Sequence, residues 1–351
     1  MTVINALKFN SHSGAMCCDE QTTLGSVRIM MSSDKIQNLI PEEIRKSIKI
    51  EAVYGGTGTT AIGDEVRRSV RQKLSDEFDR LEKKTNDMAK HFKTIDDIGN
   101  MGFESMMNVK HKHINDVVRG YFNFDTDDFN RGYYLNKDNE KTEINQKDLK
   151  DKVFDFMNWK NSDDLDSIFL NAAIICGFDW REEFKIYKLS LKSEMNMEIA
   201  GSIFETVGSG SDSAQIIFSD YVSGKTLDER RHNIDRVEGI IQLIRATIAA
   251  AKYNMGVGGY FNIILFDAKE DDPSKRFFEV YDAKAKLATE IVYSYFSDFI
   301  DYKDAYDFIN ELIFKREKNF EEVNSEFLKA SKNPERMNRF LRGYKTGGDH
   351  S

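Results

Sequence analysis

The sequence predicts an α+β protein whose strands are gathered in two clusters. Three observations predict it. Short apolar runs of strand length recur between residues 2 and 54, and again between 170 and 208. Each cluster is followed by a long stretch with apolar residues at helical spacing, 61–92 and 227–253. The composition, 40% hydrophobic and 12% aromatic over 351 residues, is enough to pack one large domain or two small ones.

Charge narrows the class. Charged residues make up 31% of the chain with both signs interspersed, and the net charge is −9. A nucleic-acid binder wants a basic footprint, so that class is excluded. Three cysteines, Cys17, Cys18 and Cys176, are an odd total with an adjacent pair, which is no disulfide framework. They read as small core residues of strands. Lys8 and Asn10 interrupt the first apolar stretch, so no signal peptide is expected, and no run reaches the length of a membrane span. The expectation is a soluble cytoplasmic protein without a membrane partner. Only three prolines occur, which excludes Pro-rich linkers.

The elements follow in order. Residues 2–9 read as a strand, 10–14 (Asn-Ser-His-Ser-Gly) as a turn, and 15–19 as a second strand. Further short strands fall at 27–31, 35–40 and 48–54. A Gly-rich run from Gly55 to Thr60 then opens the helix 61–92. It lacks the Gly-Lys-Ser/Thr ending of a phosphate loop; Gly224-Lys225-Thr226 has that ending, but Ser219 stands where the first glycine is needed. Residues 95–165 are polar and aromatic and read as a helical elaboration with loops. Within it, His111 and His113 are flanked by lysines and have no third ligand nearby, which fits a solvated basic turn better than a metal site. Residues 170–178 and 184–192 form a hairpin-like strand pair. The run 204–214 passes through a Gly-Ser-Gly-Ser turn into a helix over 213–222. After the helix 227–253, Gly256-Val257-Gly258-Gly259 breaks the chain before strands at 260–266 and 277–281. From 285 to 342 the pattern is helical, and 345–351 is expected to be disordered.

Candidate chemistry begins at Thr2. A small residue behind the initiator Met is a substrate for methionine aminopeptidase, and removal of Met1 would leave a threonine whose hydroxyl and α-amine share one residue. That amine titrates near 7.7–8.0, so it is a ready general base for its own hydroxyl. Downstream stand Gly14 to Gly25 (Gly-Ala-Met-Cys-Cys-Asp-Glu-Gln-Thr-Thr-Leu-Gly), then Ser33-Asp34-Lys35, then Val53-Tyr54-Gly55-Gly56-Thr57. In order and spacing this series resembles the proteasome β-subunit family of N-terminal nucleophile hydrolases, including its HslV and Anbu branches. The Asp19-to-Lys35 interval matches the family's, and the resemblance resumes at 172–178, 206–214 and 249–266.

The resemblance implies a four-layer αββα sandwich, with 1–94 and 166–284 as the two halves of one domain, 95–165 as an insertion where the family has a shorter connection and 285–351 as a helical extension, and it implies a set of roles. Thr2 is the nucleophile. Lys35 is the cation that keeps its amine neutral, and Asp19 holds Lys35. The Gly55 N–H is the oxyanion donor, worth about 3–4 kcal/mol. Ser211 or its turn contacts the amine. Thr23 and Thr57 pair their backbone with an extended peptide. In active family members an Asp and a Ser precede the Gly-Gly turn; here those positions hold Asn254 and Val257, and one extra residue separates Thr2 from Asp19. The implied activity is cleavage of peptide bonds through an acyl-enzyme, in a homo-oligomer, on a peptide or unfolded-protein substrate, with an ATPase unfoldase as a further partner class. Neither cofactor nor metal is called for. Two rivals remain: a non-catalytic structural homologue that binds proteins, and a peptide ligase or acyl transferase on the same scaffold. Retention of Met1 favours the first rival, because a peptide-bonded nitrogen is no base.

Overall fold

The computed structural model describes residues 2–24, 27–30, 35–84, 88–144, 147, 150, 151, 153, 171–191, 195–199 and 202–342. Strand β1 (Val3–Lys8) turns into β2 (Ser13–Asp19). A two-stranded ribbon, β3 (Gln21–Leu24) with β4 (Val27–Met30), precedes β5 (Ile36–Asn38), helix α1 (Glu42–Ser47) and β6 (Glu51–Thr57). Helices α2 (Thr60–Glu82), α3 (Met88–His91), α4 (Ile95–Phe122) and α5 (Thr126–Arg131) lead to a small hairpin, β7 (Tyr133–Leu135) and β8 (Lys141–Glu143). Four strands follow: β9 (Ala172–Phe178), β10 (Lys185–Leu191), β11 (Met195–Ile199) and β12 (Phe204–Gly208). Then come α6 (Ser211–Ser223), α7 (Leu227–His232), α8 (Arg236–Tyr253), β13 (Phe261–Asp267), α9 (Pro273–Arg276) and β14 (Phe277–Val280). The C-terminal part is α10 (Asp282–Phe296), α11 (Tyr302–Ile309), a π-helical turn (Asn310–Lys315), α12 (Phe320–Ala330) and α13 (Pro334–Arg342).

The result is a mixed α/β structure built on two five-stranded antiparallel sheets, ordered β12-β1-β2-β13-β14 and β11-β10-β9-β6-β5. Alternation along the strands assigns the core. Ile4, Ala6, Met16 and Cys18 of the first sheet share one apolar cluster with Val53, Ile174 and Cys176 of the second. Their neighbours Val3, Leu7, Ala15 and Cys17 point the other way, into a cluster with Phe218, Ile240, Ile244 and Ile291 from the helices. On the second sheet Ala52, Tyr54, Ala173 and Ile175 pack against Val66, Val70, Leu74 and Ile98 of α2 and α4. Both faces of the central strands are thus covered, which is why β2 reads as a continuous apolar run rather than an alternating one. Burial pushes the Cys17 thiol up to about 12 and raises Cys18 and Cys176 as well, so all three cysteines are inert packing groups.

Several boundaries differ from the sequence expectation. The helix expected over 61–92 stops at Glu82, and α4 begins anew behind a capping box of Thr94 and Asp97. The helix expected over 227–253 is two: Thr226 and Glu229 cap α7, and Asp235 caps α8 after Asn233 leaves helical geometry. The strand expected over 35–40 ends at Asn38, because Pro41 opens α1. His111 and His113 lie on α4 rather than in a turn, and His113 Nε2 sits 3.1 Å from Glu65 of α2. Within the helical elaboration expected over 95–165, α4 is one continuous helix with Ile95, Ile98, Met106 and Val109 in the core. Residues 345–351 lie outside the described residues. Among the described residues no group of three potential metal ligands occurs, and no helix is long and apolar enough to cross a membrane.

Candidate active site

Three chain segments meet at one end of the first sheet. Thr2 leads directly into β1, whose Val3 pairs with Gly208 of β12. Asp19 closes β2, opposite Phe261 of β13. Lys35 immediately precedes β5. Antiparallel pairing of β1 with β2 therefore delivers Thr2 and Asp19 to the same sheet end.

Asp19 is fully buried and has four donors. Its Oδ1 accepts from Thr2 Oγ1 at 2.5 Å, Lys35 Nζ at 2.8 Å and Val3 N at 3.0 Å, and its Oδ2 accepts from Gly258 N at 3.1 Å. Lys35 Nζ also donates to Thr2 Oγ1 at 2.6 Å and to Gln21 O at 2.6 Å. An ammonium has three N–H donors, and here each has its acceptor, so the lysine is fixed in orientation. Its side chain is only 10% exposed. The Thr2 hydroxyl thus sits between a cation that donates to its oxygen and a carboxylate that accepts its hydrogen bond.

The Thr2 backbone is held from the other side. Its nitrogen donates to Ser209 Oγ at 3.2 Å, and its carbonyl accepts from Gly210 N at 3.3 Å and Ser209 Oγ at 3.4 Å. Gly208 makes this approach possible. Its φ is +103°, and a Cβ there would lie 2.2 Å from Thr2 O, so no other residue fits. Asn254 closes a further ring: its Nδ2 donates to Ser209 O at 2.7 Å, while its Oδ1 accepts from Gly256 N at 3.0 Å.

The remaining sequence candidates are placed as follows. The hydroxyl that reaches the Thr2 nitrogen belongs to Ser209, two residues before Ser211. Ser211 opens α6 and gives its carbonyl to Thr206 Oγ1. The turn touches the Thr2 backbone nitrogen through Ser209, at the strand-to-helix corner itself. Gly55 sits in β6 between Ile36 and Ile174, and a Cβ on it would lie 2.9 Å from Ile4 Cγ2. The next residue, Gly56, donates its N–H to Lys35 O at 3.3 Å. Thr57 ends β6 with its hydroxyl on Ala172 O at 3.0 Å. Thr23 pairs with Arg28 in the β3–β4 ribbon. Val257 is buried at the place where the resemblance leads one to look for a hydroxyl.

Two residues went unnoticed in the sequence. Ser209 was hidden by the repeat Ser209-Gly210-Ser211, where either serine fits the pattern. Glu20 follows Asp19, is mostly buried, and accepts from Tyr260 N at 3.4 Å. Burial raises its carboxyl above the usual range, against the opposing pull of the Tyr260 N–H and of Lys35.

With this geometry in view, comparison with known proteins gives a consistent likeness at low identity. No protein-family model matches the chain, and no curated protein does. Among solved structures the chain is similar to Anbu (ancestral beta-subunit) from Yersinia bercovieri, with 11% identity, a TM-score of 0.47, and coverage of 80% of this chain and 88% of that one. It is also similar to the Anbu (Gly-1) mutant from Hyphomicrobium sp. strain MC1, at 10% identity, a TM-score of 0.44, and coverage of 76% and 83% respectively.

Proposed function

We propose that this chain is an N-terminal threonine hydrolase of the proteasome β-subunit type, which cleaves amide bonds through Thr2 after loss of Met1. The observation that carries the reading is the Thr2 hydroxyl held at 2.6 Å by Lys35 Nζ and at 2.5 Å by buried Asp19. The arrangement of two sheets with helices on their outer faces fits the four-layer αββα sandwich that the resemblance implies.

The chemistry runs on this chain's own groups. Thr2 Oγ attacks the substrate carbonyl, and its proton passes to the Thr2 amine. The Lys35 ammonium, fixed by Asp19 and Gln21 O, favours the neutral amine and the developing negative charge on Oγ. The Gly55 N–H is the expected oxyanion donor. Collapse of the tetrahedral intermediate breaks the C–N bond, and the amine returns its proton to the departing nitrogen. Water, deprotonated by the same amine, then opens the ester and restores Thr2. Thr23 and Thr57 line the path of an extended peptide. Ser209 holds the nitrogen that serves as base, and Asn254 holds Ser209. The same reading takes the 95–165 segment and the 285–351 extension as elaborations of one domain, and a cytoplasmic homo-oligomer as the working form, with an unfoldase as a partner if whole proteins are the substrate.

A second reading has a specific observation in its favour. Asn254 and Val257 replace ionisable and hydroxyl groups, and a non-catalytic protein-binding homologue has no need of either. Intact mass of the purified chain, with and without a peptide epoxyketone, separates the two. That probe reacts with both the hydroxyl and the free amine of an N-terminal nucleophile. Loss of Met1 with a single adduct, absent in Thr2→Ala, supports the hydrolase. Retained Met1 with no adduct sinks it and leaves the binding homologue.

A further inference from the structure

The far end of the first sheet carries a cleft that the Thr2 chemistry does not use. β1 runs from Thr2 at one end to Phe9 at the other, and β13 pairs Phe261 with Asp19 but Asp267 with Ser13. Six residues of strand at about 3.3 Å each separate the two ends by about 20 Å. The cleft lies between the end of β13, strand β14, helix α9 and the π-helical turn, with a volume of about 300 Å³. That is the lower end of the range for small-molecule sites, about 300–1,000 Å³.

Its charge is the reverse of the molecule's. Four cations line it, Arg236, Lys275, Lys315 and Arg316, against two carboxylates, Asp267 and Glu270. Four minus two leaves a local charge of +2, in a chain whose net charge is −9. Asp267 is already engaged, by Arg236 at 2.5 Å. Among the described residues neither Lys275 nor Lys315 makes a side-chain ion pair.

Arg316 adds an independent observation. It follows the π-helical turn with φ +57°, a left-handed backbone that a non-glycine residue adopts only when its surroundings impose it. Its guanidinium carbon stands 3.3 Å from the centroid of the Phe278 ring. Nε donates to Ile313 O at 2.8 Å, and among the described residues no carboxylate meets the terminal nitrogens. Contact with the Phe278 ring buries part of this side chain and lowers its pKa, while the residue as a whole stays exposed. Such a cation gains from an anion placed against its fork. Single π-helical turns recur at functional sites, and this one sets Lys315 and Arg316 at the mouth of the cleft.

The geometry points to a binding site for a small organic phosphate with a flat or apolar body, a nucleoside phosphate being the class that fits. Lys275, Lys315 and the free nitrogens of Arg316 take the phosphate oxygens. Phe278, Phe314 and Leu265 give the body an apolar wall.

Isothermal titration of the full chain with ADP, and separately with inorganic phosphate, tests this. ADP binding that weakens at least about tenfold in Lys275→Glu/Lys315→Glu, while Lys141→Glu in the β7–β8 hairpin, which contributes nothing to the cleft lining, leaves it unchanged, is the expected result; tenfold corresponds to about 1.4 kcal/mol. Arg316→Gln, which keeps the stack on Phe278 less well but spares the lysines, weakens it independently. Phosphate binding equal to ADP binding assigns the site to the anion alone and overturns the apolar-body part. No heat from either probe, or ADP binding indifferent to all three substitutions, overturns the site. Because the epoxyketone reports on Thr2 from the opposite end of the sheet, either result leaves the hydrolase reading untouched.

Discussion

Two buried carboxylates in this protein look alike in burial and differ in what surrounds them. Asp19 and Glu51 are both fully buried and both paired with a cation. Glu51 is met by Arg45 Nε at 2.7 Å, Arg276 Nε at 3.0 Å and Asn38 Nδ2 at 3.3 Å, and Arg276 extends to the carbonyls of Arg45 and Ile48. Every partner there is a permanently protonated guanidinium, an amide or a backbone carbonyl, so no proton moves and no nucleophile is present. The network is a clamp joining α1, β6 and α9. Around Asp19 the cation is a lysine, and the fourth group is a hydroxyl. The contrast teaches that a buried ion pair does not by itself mark a site. A group able to give up a proton and attack, placed within the pair, is what sets Asp19 apart.

Substitutions sharpen this contrast. The largest effect is expected at Thr2 and Lys35. Thr2→Ala removes all epoxyketone labelling. Lys35→Met slows labelling of the folded fraction by at least about 100-fold, the scale of one lost electrostatic stabiliser, and also costs about 3–5 kcal/mol of stability, since it leaves Asp19 buried with Val3 N, Gly258 N and Thr2 Oγ1 as donors but without its cation. Wild-type labelling by Lys35→Met would break the comparison outright.

The matching change in the clamp is next. Arg276→Met leaves Glu51 buried with one guanidinium fewer, and breaking such a pair costs about 3–5 kcal/mol of stability. Urea unfolding should show that loss, and the fraction still folded should label at the wild-type rate. Slow labelling of folded Arg276→Met would mean that the two networks are coupled.

Ser209→Ala tests the hold on the Thr2 nitrogen. It removes both hydrogen bonds between the Ser209 hydroxyl and the Thr2 backbone, about 1–2 kcal/mol of stability, but is expected to lower the labelling rate more than that stability loss accounts for. An unchanged rate would make Ser209 merely structural.

The smallest effect is one of pH. Asp96 is partly buried, which raises its pKa, but hydrogen bonds from Tyr187, Lys185 and Arg181 outweigh this and hold it at about 2, below the ordinary 3.8. A carboxylate depressed in the folded state contributes stability that is present above 3.8 and lost as pH falls through about 2. The wild type should therefore lose more of its urea midpoint between pH 4 and pH 2 than Asp96→Asn does, an effect confined to the junction of α4 with β10.

How much of this was readable beforehand depends on whether neighbours in sequence are neighbours in space. Strands β1, β2, β9 and β13 announced themselves because burial on both faces demands continuous apolar runs. Helix α4 was legible only as part of a helical elaboration over 95–165, because a charged outer face and two histidines blur its core stripe of Ile95, Ile98, Met106 and Val109. Thr2 was named from its place behind Met1, and Asp19 and Lys35 from the family resemblance that their run and interval carry. The turn was named as Ser211 or a neighbour, since Gly-Ser-Gly-Ser has two hydroxyls and only the tertiary structure sets Ser209, beside Gly208 with its φ of +103°, against Thr2. The basic cleft left no trace in the sequence, because Arg236, Lys275 and Arg316 come from three separate segments.

The sequence by itself determined a mixed α/β class and the strand runs, because local periodicity is a property of the chain, and through a family resemblance it nominated Thr2, Asp19 and Lys35 as a candidate centre. Tertiary structure alone decided which serine meets the Thr2 nitrogen, that Glu51 and Arg276 form a clamp across 225 residues, and where unpaired cations gather. Those depend on sheet register and on which segments pack together, and they arise only when burial brings distant parts of the chain within hydrogen-bonding distance.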